Sequence, residues 1–334
     1  VALSVVLILL AAEVRRARRQ YEDVTTLRRL GVQIYYCDDS VLERRWGRQV
    51  RKMRSELPFY RRVIGNDFLG SIRSCGAVRI PLHDDDMERI GRFTSLEKLT
   101  LIGTGTADMQ LRHLRGLGRL VELGLQDCCV TDQGLAALEP LVELETLTLV
   151  RTPVRGPGLK NIATLPRLAC LWLSGLPLEE GAVGLLHNCP SLDDLTLQSI
   201  ALPRDAIDDV GTIARLSGLS LAKTGITDGD VSKLKRLPRL AHIDLSDTAI
   251  TDAALRDLSE MPTLRTVSLN RTTITDRGLR WVRAMPAIKV LDIVGTRVTD
   301  KGVDELRAAV PDLNISTRSY PPPPIVATPP PSAR

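Results

Sequence analysis

Aromatic residues are scarce, at 3% of 334 residues. Any core must therefore be filled by aliphatic side chains. Metal-type cysteine spacing is missing as well. Cys37, Cys75, Cys128, Cys129, Cys170 and Cys189 form no CxxC pair. They read as small apolar filler rather than as ligands or a redox motif. There is no phosphate loop, nucleophile elbow or HExxH helix. The chain is therefore expected not to be an enzyme, with no catalytic residue, no metal and no cofactor. Asp84, Asp85 and Asp86 could be read as a cation site, but a solvated loop or helix cap is the plainer reading.

Positive charge is lacking over most of the chain. The net charge is +5, yet residues 13–70 alone hold fourteen Lys/Arg against eight Asp/Glu, so the remainder is close to neutral. Without a basic stripe along its length, nucleic acid is not an expected partner.

Long apolar runs are lacking too. The longest opens the chain, VALSVVLILLAA over residues 1–12, and is followed at once by Arg15, Arg16, Arg18 and Arg19. Twelve residues are fewer than the ~20 needed to span a bilayer, but the sequence starts at Val1 rather than Met. The run is expected to be a truncated membrane anchor, placing the protein at a membrane through its N-terminus, on a side left open. A signal-peptide core or a buried or frayed helix are the alternatives. At the other end, YPPPPIVATPPPSAR from Tyr320 is too proline-rich for helix or sheet. A disordered tail over 316–334 is expected, with a polyproline docking peptide as an alternative.

What the chain has is leucine at a fixed interval. Stepping by 24 from Leu96 meets Leu120, Leu144, Leu168, Leu192, Leu216, Leu240, Leu264 and Ile288. The columns starting at Leu99 and Leu101 are equally aliphatic, which makes 27 of 27 positions in nine repeats. The LxxLxL spacing predicts a short strand with one buried face. Seven residues after the last strand leucine stands Asp108, Asp132, Asp228, Asp252, Asp276 or Asp300, usually preceded by Thr. Thr and Asp suit helix N-caps, and Leu135, Leu138 and Leu141 then mark one face of a short helix. No single unit can bury its leucines, whereas stacked units share one core. The four histidines, His83, His113, His187 and His242, fall at different repeat positions and should not meet.

The stretch from Leu240 to Leu258, LAHIDLSDTAITDAALRDL, resembles the leucine-rich repeat. It is similar to the cysteine-containing subtype, with Thr248 where that subtype has cysteine, and to repeats of bacterial membrane-anchored leucine-rich-repeat proteins. The resemblance covers about residues 77–315 and implies an α/β leucine-rich-repeat solenoid: a curved, right-handed parallel β-ribbon with short convex helices. Residues 13–76 lie outside the repeat and are expected to form a basic α/β N-terminal cap. A helix is expected over 13–30, a strand over 32–37 and a second helix from Ser40 to Glu56. Thr104, Thr152, Thr224, Thr248, Thr272 and Thr296 are expected to stack as a structural hydrogen-bonded ladder.

Such a scaffold implies a protein or peptide ligand on the concave strand face, and a monomer. The outward residue between the two strand leucines is small or acidic everywhere except at Trp172. The expected contact surface is Thr148, Trp172 and Thr196, with a polar continuation at Asp244, Asp247, Asn270, Arg271 and Asp292. The alternative is that Trp172 lies flat on its neighbours. Repeats three to five lack the Thr-Asp pair, reading VRG at 154–156, LEE at 178–180 and LPR at 202–204. That block was either reshaped for a partner or drifted. A second function, an F-box-like substrate adaptor of a ubiquitin ligase, rests on Leu57 and Pro58, but the stretch before the repeats is short for that domain.

Overall fold

The computed structural model describes residues 2–36 and 71–317, in two compact units, Val1–Leu216 and Ser217–Arg334. The first holds helix α1 (Ala2–Arg29) and strands β1 (Gln33–Tyr36), β2 (Ile72–Val78), β3 (Lys98–Ile102), β4 (Glu122–Gln126), β5 (Thr146–Val150), β6 (Cys170–Ser174) and β7 (Asp194–Gln198). Strands β2 to β7 pair in parallel, each with the next, in a register of one repeat: Leu99 faces Leu123, then Leu147, Leu171 and Leu195. The second unit repeats the scheme with β8 (Gly218–Ser220), β9 (His242–Asp244), β10 (Thr266–Ser268), β11 (Val290–Asp292) and β12 (Asn314–Ser316). None of the 27 aliphatic column residues is more than 5% exposed.

The ladder reaches further back than the leucines do. In β2, Cys75 and Ala77 pair with Leu99 and Leu101, both buried in the leucine columns. Burial pushes the Cys75 thiol up to about 12, so it is an inert filler. The edge of β2 is covered by β1, antiparallel, with Ile34 and Tyr36 buried. Helix α1 packs Ala17, Val24 and Leu27 inward. Its buried Asp23 accepts from Arg89 at 3.0 Å and Arg92 at 3.1 Å, tying α1 to the helix Asp84–Gly91.

The expected membrane anchor, and with it the membrane localisation, is corrected. Residues 2–12 are the start of the 28-residue helix α1, which goes on through Arg15, Arg16, Arg18 and Arg19 to Arg28 and Arg29. Eleven helical residues rise only ~17 Å, against a hydrocarbon core of ~30 Å. Among the described residues no helix is long and apolar enough to cross a membrane. The expected helix from Ser40 to Glu56, the Leu57–Pro58 pair, Cys37 and the tail from residue 318 lie outside the described residues.

Between the strands, the Thr-Asp pairs do more than cap. Thr251 and Thr299 accept from Ala253 and Gly302 N–H groups as N-caps. The aspartates reach one repeat onward. Asp252 accepts from the backbone N–H of Thr275 at 2.8 Å and its hydroxyl at 2.6 Å. Asp108, Asp228 and Asp276 hold Thr131, Thr251 and Thr299 in the same way. Asp132 takes three amides, of Arg155, Gly156 and Gly158. Each carboxylate thus pins the segment that leads into the helix of the following unit.

The backbone N–H and then the hydroxyl of Thr299 hold the Asp276 carboxyl below its usual value. A carboxylate depressed in the folded state stabilises above its unfolded pKa, near 3.8. That contribution disappears as pH falls through the folded value. The melting temperature should therefore drop on acidification below about pH 4, and Asp276→Asn should lower it at neutral pH while flattening the acid limb. Melts of both proteins from neutral to acid pH check this. An acid limb of unchanged steepness in the variant would remove Asp276 from it.

A second period runs through the strand exits. Arg79, Gly103, Asp127, Arg151, Gly175, Ser199, Lys223, Asp247, Arg271 and Gly295 stand 24 apart and all have positive φ, between 48° and 69°. The left-handed turn costs a non-glycine residue on the order of 1 kcal/mol. In return its N–H extends the ladder, as Asp127 does to the Val150 carbonyl at 2.9 Å and Asp247 to Asn270 at 2.8 Å.

The expected threonine ladder does not form as such. Thr224, Thr248, Thr272 and Thr296 each donate to the carbonyl three residues back in their own repeat, and Thr104 pairs with Thr106 at 2.8 Å. A local carbonyl is nearer than the next repeat's hydroxyl and satisfies these four singly, while the buried Thr152 hydroxyl has no hydrogen-bond partner among the described residues.

Candidate functional site

Strand alternation sorts each open face into columns. In the first unit the central column is Gly76, Thr100, Gly124, Thr148, Trp172 and Thr196, paired in register. Trp172 lies between Leu171 and Leu173, both fully buried, and is itself 47% exposed. Its ladder neighbours are Thr148 and Thr196, each about 4.8 Å away along the sheet. Neither is long enough to cover an indole. The structure therefore brings Thr148, Trp172 and Thr196 together on one open face.

Charge is unevenly placed around Trp172. The next outward column on the side of the strand exits is Val150, Ser174 and Gln198 over β5 to β7, all half-buried. The opposite column there is Thr146, Cys170 and Asp194. Nearer the first repeat, the charged pair Lys98–Glu122 and its neighbours Arg73–Glu97 neutralise each other. The floor around the tryptophan is thus neutral on its exit side, while Glu145, Asp193 and Asp194 gather near Cys170 on its entry side.

Sequence reading missed the other aromatic on this face. Tyr35 of β1 pairs with Ser74 and is 39% exposed, its hydroxyl donating to Gln33 at 3.0 Å. The central column that holds Trp172 ends on Gln33, which pairs with Gly76, whereas Tyr35 stands one column over, in line with Ser74, Lys98 and Glu122. Only the antiparallel pairing of β1 puts Tyr35 there, and no repeat announces it.

In the second unit the central column alternates, Ser220, Asp244, Ser268, Asp292 and Ser316. Ser268 donates to Asp292 at 2.9 Å and Ser220 to Asp244 at 3.4 Å. Alternation keeps the two carboxylates two strands apart. Asp244 also takes the N–H and hydroxyl of Ser246. The other expected contact residues are occupied within the fold. Asn270 accepts from the Val294 N–H at 2.8 Å. Arg271 grips Asp247 with two N–H groups from the adjacent left-handed turn, and its hydrogen bonds hold the Asp247 carboxyl below its usual value.

The same arrangement recurs in the first unit, where Arg151 binds Asp127 at 2.6 and 2.7 Å. In both places the arginine stem lies against the glycine of the next turn, Gly175 or Gly295. The recurrence marks these pairs as turn staples.

The block without Thr-Asp pairs is reorganised rather than loose. Gly156 has φ of 133°, and a Cβ on it would stand 2.3 Å from that of Ala182, so only glycine fits. Asp205 reaches backward to the Gly181 N–H at 2.6 Å, the reverse of the usual direction. Arg155 pairs with Glu179 at 3.0 Å.

The acidic run Asp84 to Asp86 begins a helix. Asp86 accepts from the His83 N–H at 3.0 Å, and Asp84 binds Arg112 at 2.7 Å and His113 at 3.0 Å. Among the described residues, no group of three or more His, Cys, Asp or Glu is placed to hold a metal.

No family model and no curated protein matches this sequence. Solved structures do. An internalin, inlF, of Listeria monocytogenes is 15% identical, with a TM-score of 0.42, over 78% of this chain and 93% of that one. A leucine-rich-repeat protein of Leptospira interrogans is 18% identical, with a TM-score of 0.48, over 69% of this chain and 68% of that one. The Listeria internalin C2 is 19% identical, with a TM-score of 0.41, over 71% and 84%. At such identities the likeness concerns architecture alone. The 24-residue parallel register, the buried leucine columns and the helical returns within each unit make the fold that of a leucine-rich-repeat solenoid.

Proposed function

We propose that the chain is a non-enzymatic protein-interaction scaffold that takes a protein or peptide partner on the open strand face of its first unit. The observation that carries this reading is Trp172, 47% exposed on a rigid floor of short, mostly uncharged side chains. Tryptophan is enriched among residues that dominate binding energy, and a dry surrounding strengthens it. Strand residues present it without any ordering cost on binding. Thr148 and Thr196 bound the contact and leave the indole free on both sides. In the second unit, Asp244 and Asp292 would offer carboxylates to polar groups of a ligand, while Asp247, Asn270 and Arg271 hold turns.

A photo-crosslinking residue placed at Thr148 or Thr196 should label one and the same partner. The same probe at the exposed Thr164, on the helical side, should not. Equal labelling from all three positions would mean that the strand face has no special role.

A further inference from the structure

A cavity of about 410 Å³ lies between α1 and the first repeat, within the first unit. Its helix wall presents Arg15, Arg16 and Arg19, and its opposite wall presents Arg92. Among the described residues the one carboxylate on the lining, Asp23, is buried and already shared by Arg89 and Arg92. Arg18, on the same helix but off the cavity, pairs with Glu22 at 3.1 Å. Arg15, Arg16 and Arg19 have no carboxylate partner among the described residues.

Three like charges within little more than one turn repel each other along a helix. A concave wall focuses their field into the cavity. The rest of the lining is of two kinds. Thr94 and Ser95 bring hydroxyls, and Ala12 with the stems of the exposed arginines brings an apolar wall, Ile72 and Phe93 being buried behind it.

We infer that this cavity is a binding site for a small organic phosphate monoester. The argument is one of charge and size. A carboxylate supplies one negative charge, whereas a phosphate monoester supplies nearly two and three acceptor oxygens that match guanidinium donors. The volume is at the small end of ligand pockets, which suits a compact molecule whose organic part rests on Ala12 and the arginine stems. This site is separate from the strand face around Trp172 and independent of it.

The test is calorimetric titration of the full chain with phenyl phosphate and with inorganic phosphate. Phenyl phosphate should bind, and several-fold more tightly than inorganic phosphate, because only it uses the apolar wall. The triple variant Arg15→Gln, Arg16→Gln, Arg19→Gln should weaken it at least 10-fold. Those side chains are exposed, so the fold should survive, which circular dichroism would verify. Arg18→Gln should leave affinity unchanged. No detectable heat with phenyl phosphate would overturn the site. So would an equal loss from Arg18→Gln, since diffuse charge would then explain the binding. A phosphoserine peptide that bound much more tightly than phenyl phosphate would overturn the small-molecule assignment.

Discussion

Leu197→Ala is expected to destabilise the protein by about 2–5 kcal/mol, the range for a leucine removed from a packed core. Leu197 is fully buried in β7 and follows Leu173 in the same column of the first unit. The repeat stack has no separate core into which the hole could relax, because each leucine touches its counterparts one repeat away. Thr196, one residue earlier, points out of the same strand. Thr196→Ala should cost no more than about 0.5 kcal/mol, as surface changes do. Denaturant melts of the two variants measure the contrast. Equal losses would mean that the strand faces are exchanged.

That contrast depends on a register already visible in the sequence. The leucine columns were legible because every repeat offers its neighbour the same aliphatic slot, so one residue type recurs. Where the slot is filled by Cys75 and Ala77, the recurrence fades, and β2 shows itself only by its pairing with β3. The aspartates were visible as helix caps, but not as anchors of the segment that leads into the next repeat's helix. A partner 23 residues away exists only once the units are stacked. The left-handed turns escaped notice because most of them are not glycine. They hold Arg79, Asp127, Arg151, Ser199, Lys223, Asp247 and Arg271. The apolar start reads as an anchor ending at its arginines, whereas one helix runs through both.

The site was legible to a similar extent. Alternation alone placed Trp172 outside the core between two buried leucines. It could not show that Asp247 and Arg271 bind each other, since residues one repeat apart meet only across the ladder. Nor could it bring Tyr35 onto the same face. The strand that carries Tyr35 pairs antiparallel and belongs to no repeat.

The proposed role of Trp172 is that of a binding anchor rather than a packing residue. A tryptophan at the centre of an interface can bury on the order of 200 Å², and its loss as a hot spot costs about 2 kcal/mol or more. Because the indole stands outside the core, Trp172→Ala should leave the melting temperature almost unchanged. The decisive measurement is the affinity of Trp172→Ala for the partner identified by crosslinking, taken together with its melting temperature. A loss of roughly 30-fold or more in affinity at an unaltered melting temperature is expected of an anchor. Unchanged affinity with a lowered melting temperature would contradict that role.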